Sequence, residues 1–194
     1  MSLQILLASS SRYRRELLGR LLPSFDSVSP DVDERAFHDL EPTPDSLAQR
    51  LAMEKTLAVF RRFPDAIVVG SDQLADLNGR ILGKPRTVSA AVDQLLSMSG
   101  KTHRLLTAVC IAAPGKPLTL IMNETRLTMR PLTADEALRY VERDQPLDCA
   151  GSYKIESLGI SLFENIETED FTAIMGLPLI QVSQTLRELG VAIP

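Results

Sequence analysis

The sequence predicts an α/β fold, a mixed sheet flanked by helices, and three observations carry that expectation. Short apolar runs that suit buried strands alternate with stretches of helical periodicity. Turn and capping residues fall between them. No repeat, low-complexity tract or long Pro/Gly/Ser linker interrupts the pattern. A chain of 194 residues then fits one domain, 1–194, or one domain with two lobes.

The elements follow in order. Leu3 to Ala8 is an apolar run that reads as a strand. After Ser9-Ser10-Ser11, residues Tyr13, Arg14, Leu17, Leu18, Leu21 and Leu22 recur at helical spacing. A second extended piece lies at Phe25 to Val28, ahead of the polar loop Asp31 to Arg35. Thr43-Pro44-Asp45 supplies a cap, a first-turn proline and an early acid for a helix to about Phe63. Ala66 to Val69 reads as a buried strand that ends through Gly70-Ser71 at Asp72, and Asn78-Gly79 between Leu77 and Ile81 predicts a hairpin. Val88 to Met98 suits a helix, and Leu105 to Ala113 and Leu118 to Met129 suit two longer strands. Thr133 to Arg143 suits a helix opened by a capping box through Glu136. Leu179 to Leu189 is a last amphipathic helix with Gly190 as its stop.

Composition bounds the function. Apolar residues are 44% and charged residues 24%, enough for a true core and unlike a disordered chain. A formal net charge of −4 does not advertise a nucleic-acid polymer or an anionic membrane as partner, so any anion site is local. No apolar run approaches the roughly 18 residues of a membrane span, and Leu3 to Ala8 is too short for a signal core, so a cytoplasmic protein is expected. Cys110, Cys149, His38 and His103 lack metal-ligand spacing, and both cysteines are expected in the core.

Several residues do not fit a bland fold. Ser9 to Arg15 places hydroxyls at a helix start and adds Arg12, Arg14 and Arg15, charges that are unhelpful there unless an anion binds; the competing reading is a solvated basic turn. Lys55 falls in line with Leu47, Leu51, Ala52, Ala58 and Val59, the stripe expected to face the core. A lysine there either snorkels to solvent or needs a phosphate or a carboxylate such as Asp72. Asp72, expected at a strand end, suits a divalent cation or the acceptance of a proton from water, against the alternative of a turn cap. Asp33 and Glu34 supply further acid. With Arg14, Lys55 and Lys84, these form a kit in which cations neutralise a polyphosphate, acids hold Mg²⁺ and one acid activates water. His103 is expected as a hydrogen-bonded structural histidine. The nucleophile-elbow, Walker A and dinucleotide-binding glycine patterns are not present.

Ordered motifs over nearly the whole chain carry a resemblance. They are LASSSRYRRELL from Leu7, the VDE of Val32 to Glu34, Glu54-Lys55, GSDQ from Gly70, GKP from Gly83, SGKTH from Ser99, CAGSYKIE from Cys149 and GLPL from Gly176. The chain resembles the Maf family of nucleoside triphosphate pyrophosphatases, and within it the 7-methyl-GTP branch. The resemblance implies an inosine triphosphate pyrophosphatase-like fold with two lobes around a nucleotide cleft. It also implies metal-dependent cleavage between the α- and β-phosphates, with Mg²⁺ or Mn²⁺ as cofactor. Carried over, it makes Asp72 the proton acceptor or metal-linked activator of water and Glu34 the second acidic metal ligand. Ser9, Arg14, Lys55 and Lys84 become the phosphate-binding set, and Tyr13, Gln73 and Glu156 the positions that separate the branches. Ala108 departs from the glycine of many relatives.

The branch has a physical rationale. A guanine edge offers two neighbouring N–H donors, and the Glu156 carboxylate offers two acceptors. N7-methylation makes the base cationic, which favours an acid and the aromatic face of Tyr13. The alternatives are a dTTP/UTP pyrophosphatase of the same family and a nucleotide-binding regulator of septum formation. A nucleotidyltransferase is disfavoured because its glycine-rich start is not present. The expected partner is a modified nucleoside triphosphate, with a homodimer left open.

Overall fold

A computed structural model describes residues 4–38 and 40–194. The expected α/β architecture is found. The strands are β1 (Ile5–Ala8), β2 (Asp26–Ser27), β3 (Ile67–Leu77), β4 (Arg80–Leu82), β5 (Thr102–Ala112), β6 (Thr119–Met129) and β7 (Phe163–Glu167). The helices are α1 (Arg12–Leu18), α2 (Arg35–His38), α3 (Pro44–Phe60), α4 (Val88–Met98), α5 (Ala134–Asp144) and α6 (Leu179–Glu188), with 3-10 turns at Leu158–Leu162 and Phe171–Met175. The seven-stranded sheet has the order β2-β1-β3-β5-β6-β7, with β4 bonded to β3 off that path. β1 pairs parallel with β2 and β3, whereas β3–β4 and β6–β7 are antiparallel, so the sheet is mixed.

By internal contacts the chain divides into two units. The first takes the described residues of Met1–Asp72, Thr107–Asn123 and Asp170–Pro194; the second takes Gln73–Leu106 and Glu124–Glu169. In the first unit, side-chain alternation with both faces covered explains why β1 and the opening of β3, residues 67–69, are apolar. Ile5, Leu7, Ile67 and Val69 face one core with Leu17, Leu18, Val182 and Leu186. Leu6, Ala8, Val68 and Ala66 face another with Val59. Thr43 caps α3 with a reciprocal box through Ser46, and Pro44 opens its first turn.

In the second unit, α4 packs on α5 through buried Ala91, Leu95 and Met98 and buried Ala137, Tyr140 and Val141. Asn78 and Gly79 take φ of 55° and 85°, the left-handed pair a tight hairpin requires, and Asp76 Oδ1 accepts from Gly79 N at 2.7 Å. The Thr133–Glu136 capping box forms as expected. His103 is buried, its Nε2 2.9 Å from Tyr153 Oη, with Tyr153 and Phe163 rings at 5.5 and 6.0 Å. It is the structural histidine that the sequence suggested.

Burial pushes the His103 imidazole from 6.5 down to about 4, partly opposed by the Asp76 carboxylate. The unfolded chain therefore binds a proton below about pH 6.5 that the folded chain refuses until about pH 4. The stability conferred by neutral His103 is complete above that range and is lost as pH falls through it. Urea unfolding is expected to show a loss of about 2 kcal/mol from pH 7 to pH 5 that His103→Asn does not share; equal slopes would exclude His103 as the source.

Several expectations are corrected. The strand that ends at Asp72 in the sequence reading instead continues to Leu77, because the segment after Asp72 gains β4 as a partner. Helix α1 stops at Leu18 rather than Leu22, with Leu21 and Leu22 in turns that still bury Leu22. Arg35 belongs to α2 rather than to a loop. Cys110 is buried, but Cys149 is half-buried in a turn, so only one cysteine is a core residue. Ala58 is half-buried, off the stripe that Lys55 shares. Leu3, placed at the start of the first strand, lies outside the described residues.

Candidate active site

Alternation along β3 builds the site. Ala66, Val68, Gly70 and Asp72 share one face of the strand, and that face meets α3. Gly70 is required where the two backbones meet, since a Cβ there would lie 2.2 Å from Thr56 Oγ1 and 2.9 Å from Thr56 N. The approach brings the next residue on the helix, Lys55, onto Asp72. Lys55 Nζ lies 2.5 Å from Asp72 Oδ1 and 2.7 Å from Glu34 Oε1. The Lys55 and Asp72 side chains are 9% and 7% exposed, whereas that of Glu34 is 51% exposed. Lys55 is thus a buried cation shared between a buried and an open carboxylate. The snorkelling alternative is set aside.

Ser71, on the opposite face of β3, donates its hydroxyl to Gly176 O at 2.8 Å. Gly176 has a φ of 110°, and a Cβ there would lie 3.1 Å from Arg14 Nε. The Arg14 side chain therefore lies against backbone that carries no side chain. Burial lowers the pKa of the half-buried Arg14, opposed by the charges of Asp72 and Glu34, so the guanidinium is within electrostatic reach of both carboxylates. It makes no side-chain hydrogen bond to a described residue, so among these its donors have no partner.

Burial also raises the Asp72 pKa. Lys55 and Arg14 pull it back through charge and the Lys55 hydrogen bond, and the charge of Glu34 adds to the rise. Asp72 Oδ2 is buried with no hydrogen-bond partner among the described residues. An unsatisfied buried carboxylate oxygen is costly, and a cation or a water proton would relieve it. Among the described residues no three His, Cys, Asp or Glu side chains gather as metal ligands. An ion of the Mg²⁺ type, however, is commonly held by one or two carboxylates, with water and phosphate completing its shell. Asp72 and Glu34 fit that donor set.

The remaining predicted residues are placed as follows. Ser9 is buried and its Oγ accepts from Ser11 N at 3.1 Å, while Ser11, not Ser9, caps α1. The Tyr13 ring has Arg12 over one face at 4.7 Å, and its hydroxyl accepts from Arg12 Nη2 at 2.8 Å. That face is already given to a cation. Gln73, Lys84 and Glu156 belong to the second unit and are not part of the Lys55 cluster. Lys84 and Glu156 are exposed and make no ion pair with a described residue. The sequence reading missed the placement of Ser71 and Gly176 beside Arg14. The GLPL motif was the available signal, but only the fold brings it to Arg14.

Comparison with known proteins follows from this geometry. The model of the family described as Maf-like protein matches residues 4–189. A protein of Xanthomonas axonopodis pv. citri (strain 306) named 7-methyl-GTP pyrophosphatase is 50% identical over 98% of this chain and 99% of its own. One of the same name from Bdellovibrio bacteriovorus is 46% identical over 94% of this chain and 95% of its own. Among solved structures, the Staphylococcus aureus Ham1 protein aligns with a TM-score of 0.53 at 15% identity, covering 95% of this chain and 99% of that one. That likeness is one of fold alone. A family match over nearly the whole length, with relatives about half identical, places this chain in the Maf family.

Proposed function

We propose that the chain is a cytoplasmic, metal-dependent pyrophosphatase that hydrolyses 7-methyl-GTP to 7-methyl-GMP and pyrophosphate. The observation that carries it is Lys55 held between Asp72 and Glu34, in a chain half identical to a protein named 7-methyl-GTP pyrophosphatase. No helix among the described residues is long and apolar enough to cross a membrane, which accords with the cellular setting proposed.

Asp72 accepts the proton of the attacking water. A carboxylate whose proton affinity is raised by burial is a stronger base than an exposed one, and its Oδ2 is uncommitted. Lys55 and Arg14 offset the charge of the triphosphate and of the departing pyrophosphate, with Ser9 and Lys84 completing the phosphate set. Asp72 and Glu34 would hold Mg²⁺ or Mn²⁺, which would supply polarisation of phosphate oxygens and a lowered pKa of water. Glu156 accepts from the guanine edge, and Gln73 and Tyr13 complete base selection. Because Arg12 covers one face of Tyr13, a methylated base would use the other.

Release of pyrophosphate from 7-methyl-GTP, GTP, dTTP, UTP and CTP, with and without Mg²⁺ or Mn²⁺, tests the proposal. Metal-dependent turnover led by 7-methyl-GTP is expected. Glu156→Gln should narrow its preference over UTP by about tenfold, the scale of one lost charge-assisted hydrogen bond. Turnover led by dTTP or UTP would overturn the substrate assignment. Nucleotide bound tightly but recovered intact would favour a regulator.

A further inference from the structure

Gln94 lies on α4 in the second unit, and the functional account gives it no part. Its side chain makes two hydrogen bonds, one to each of two motif segments. Gln94 Nε2 donates to Gly83 O at 3.0 Å, and Ser152 Oγ donates to Gln94 Oε1 at 2.6 Å. The carbonyl of Gly83 can only accept, so the Gly83 bond fixes the amide orientation and leaves Oε1 for Ser152. Gly83 immediately precedes Lys84. Ser152 precedes Glu156 by four residues and is fully buried.

The two segments are unusual in backbone as well. Gly151 and Ser152 take consecutive φ values of 78° and 62°, and Arg86 takes 68°. Two of these are not glycine and hold a conformation that L-residues rarely adopt without support. Arg86 N donates to Leu147 O at 3.1 Å, a link between the stretch just after the first segment and the stretch just before the second. Lys154 Nζ, at 2.7 and 3.0 Å from Asp144 O and Gln145 O, and Tyr140 Oη, accepting from Lys154 N at 3.0 Å, anchor the second segment to the end of α5. The Gln94 side chain reaches both.

We infer that Gln94 is a positioning residue: its amide clamps the Gly83-Lys84-Pro85 segment to the Cys149–Glu156 segment, so that Lys84 and Glu156 are presented on one rigid frame. The inference rests on the proposed function, which gives Lys84 a phosphate and Glu156 a base. A frame of this kind makes phosphate binding and base selection fail together when it loosens.

The test combines amide hydrogen exchange with steady-state kinetics on 7-methyl-GTP and UTP. Gln94→Ala and Ser152→Gly are each expected to raise KM about three- to tenfold, leave kcat within about twofold and narrow the preference for 7-methyl-GTP. The Arg86 and Ser152 amides should exchange faster in Gln94→Ala. Ser152→Gly removes the hydroxyl at a φ that glycine adopts freely, so it retains a folded variant should Gln94→Ala fail to fold. Gln94→Glu keeps an acceptor for Ser152 but sets an oxygen against Gly83 O, and should loosen the Arg86 amide while sparing that of Ser152. A purely structural role would lower the melting temperature without the KM-against-kcat split. Unchanged exchange in Gln94→Ala, or faster exchange with KM and preference unchanged, would overturn the inference. If the wild type hydrolyses none of these triphosphates, the pyrophosphatase proposal fails. The clamp is then judged by exchange alone, unchanged protection overturning it and lost protection supporting it.

Discussion

Asp72→Asn is expected to lower turnover of 7-methyl-GTP by about 10²–10⁴-fold, the range of a lost general base, while nucleotide affinity changes much less. The substitution is nearly isosteric, and its amide oxygen can still accept from Lys55 Nζ, which retains Glu34 as well. The ion cluster therefore keeps its outline but loses one negative charge and the carboxylate oxygen proposed to accept the proton. Removing the Asp72 charge leaves Lys55 and Arg14 facing only the open Glu34 carboxylate, so the variant should also lose some stability, and turnover is read under conditions in which it is shown to be folded. Rate measurements together with nucleotide binding by calorimetry separate the two effects. Retained turnover would remove Asp72 from the mechanism, and a matching loss of affinity would make it a binding residue.

Lys55→Met carries the larger cost in stability. It preserves the buried stem but strips the Asp72 carboxylate of its nearest cation, and breaking a buried pair in this way costs about 3–5 kcal/mol. Arg14 remains as a partial compensation through its charge, and Glu34 lies open to solvent. Adding Asp72→Asn to Lys55→Met removes the stranded charge and should recover most of the loss. Urea unfolding of the two single variants and the double variant gives the coupling directly. Coupling under about 0.5 kcal/mol would mean that the two groups do not depend on one another.

The legible parts of the fold share a cause. They were specified by local chemistry: Asn78-Gly79 by its left-handed requirement, Thr133 and Glu136 by reciprocal capping, Thr43-Pro44 by the needs of a helix start. Lys55 was legible because it interrupts an apolar stripe, and a lysine there demands a partner. What stayed hidden depends on the neighbours. Gly70-Ser71-Asp72-Gln73 has weak strand propensity and continues as strand only within a sheet that pairs its flanks. The short β7 and the four-residue α2 carry no period long enough to detect. Gly176 beside Arg14, and Gln94 between two loops, are juxtapositions of residues distant in sequence. Tyr13 was legible as an aromatic residue on the first helix, but not its pairing with Arg12.

The central claim is that water attacks the α-phosphorus at the Lys55–Asp72 cluster, expelling pyrophosphate. Hydrolysis of 7-methyl-GTP in oxygen-18 water with Mg²⁺ or Mn²⁺, read by mass spectrometry of both products, tests it most directly. The account predicts a single heavy oxygen in 7-methyl-GMP and unlabelled pyrophosphate. Label in the pyrophosphate, or products consisting of the nucleoside diphosphate and orthophosphate, would contradict it.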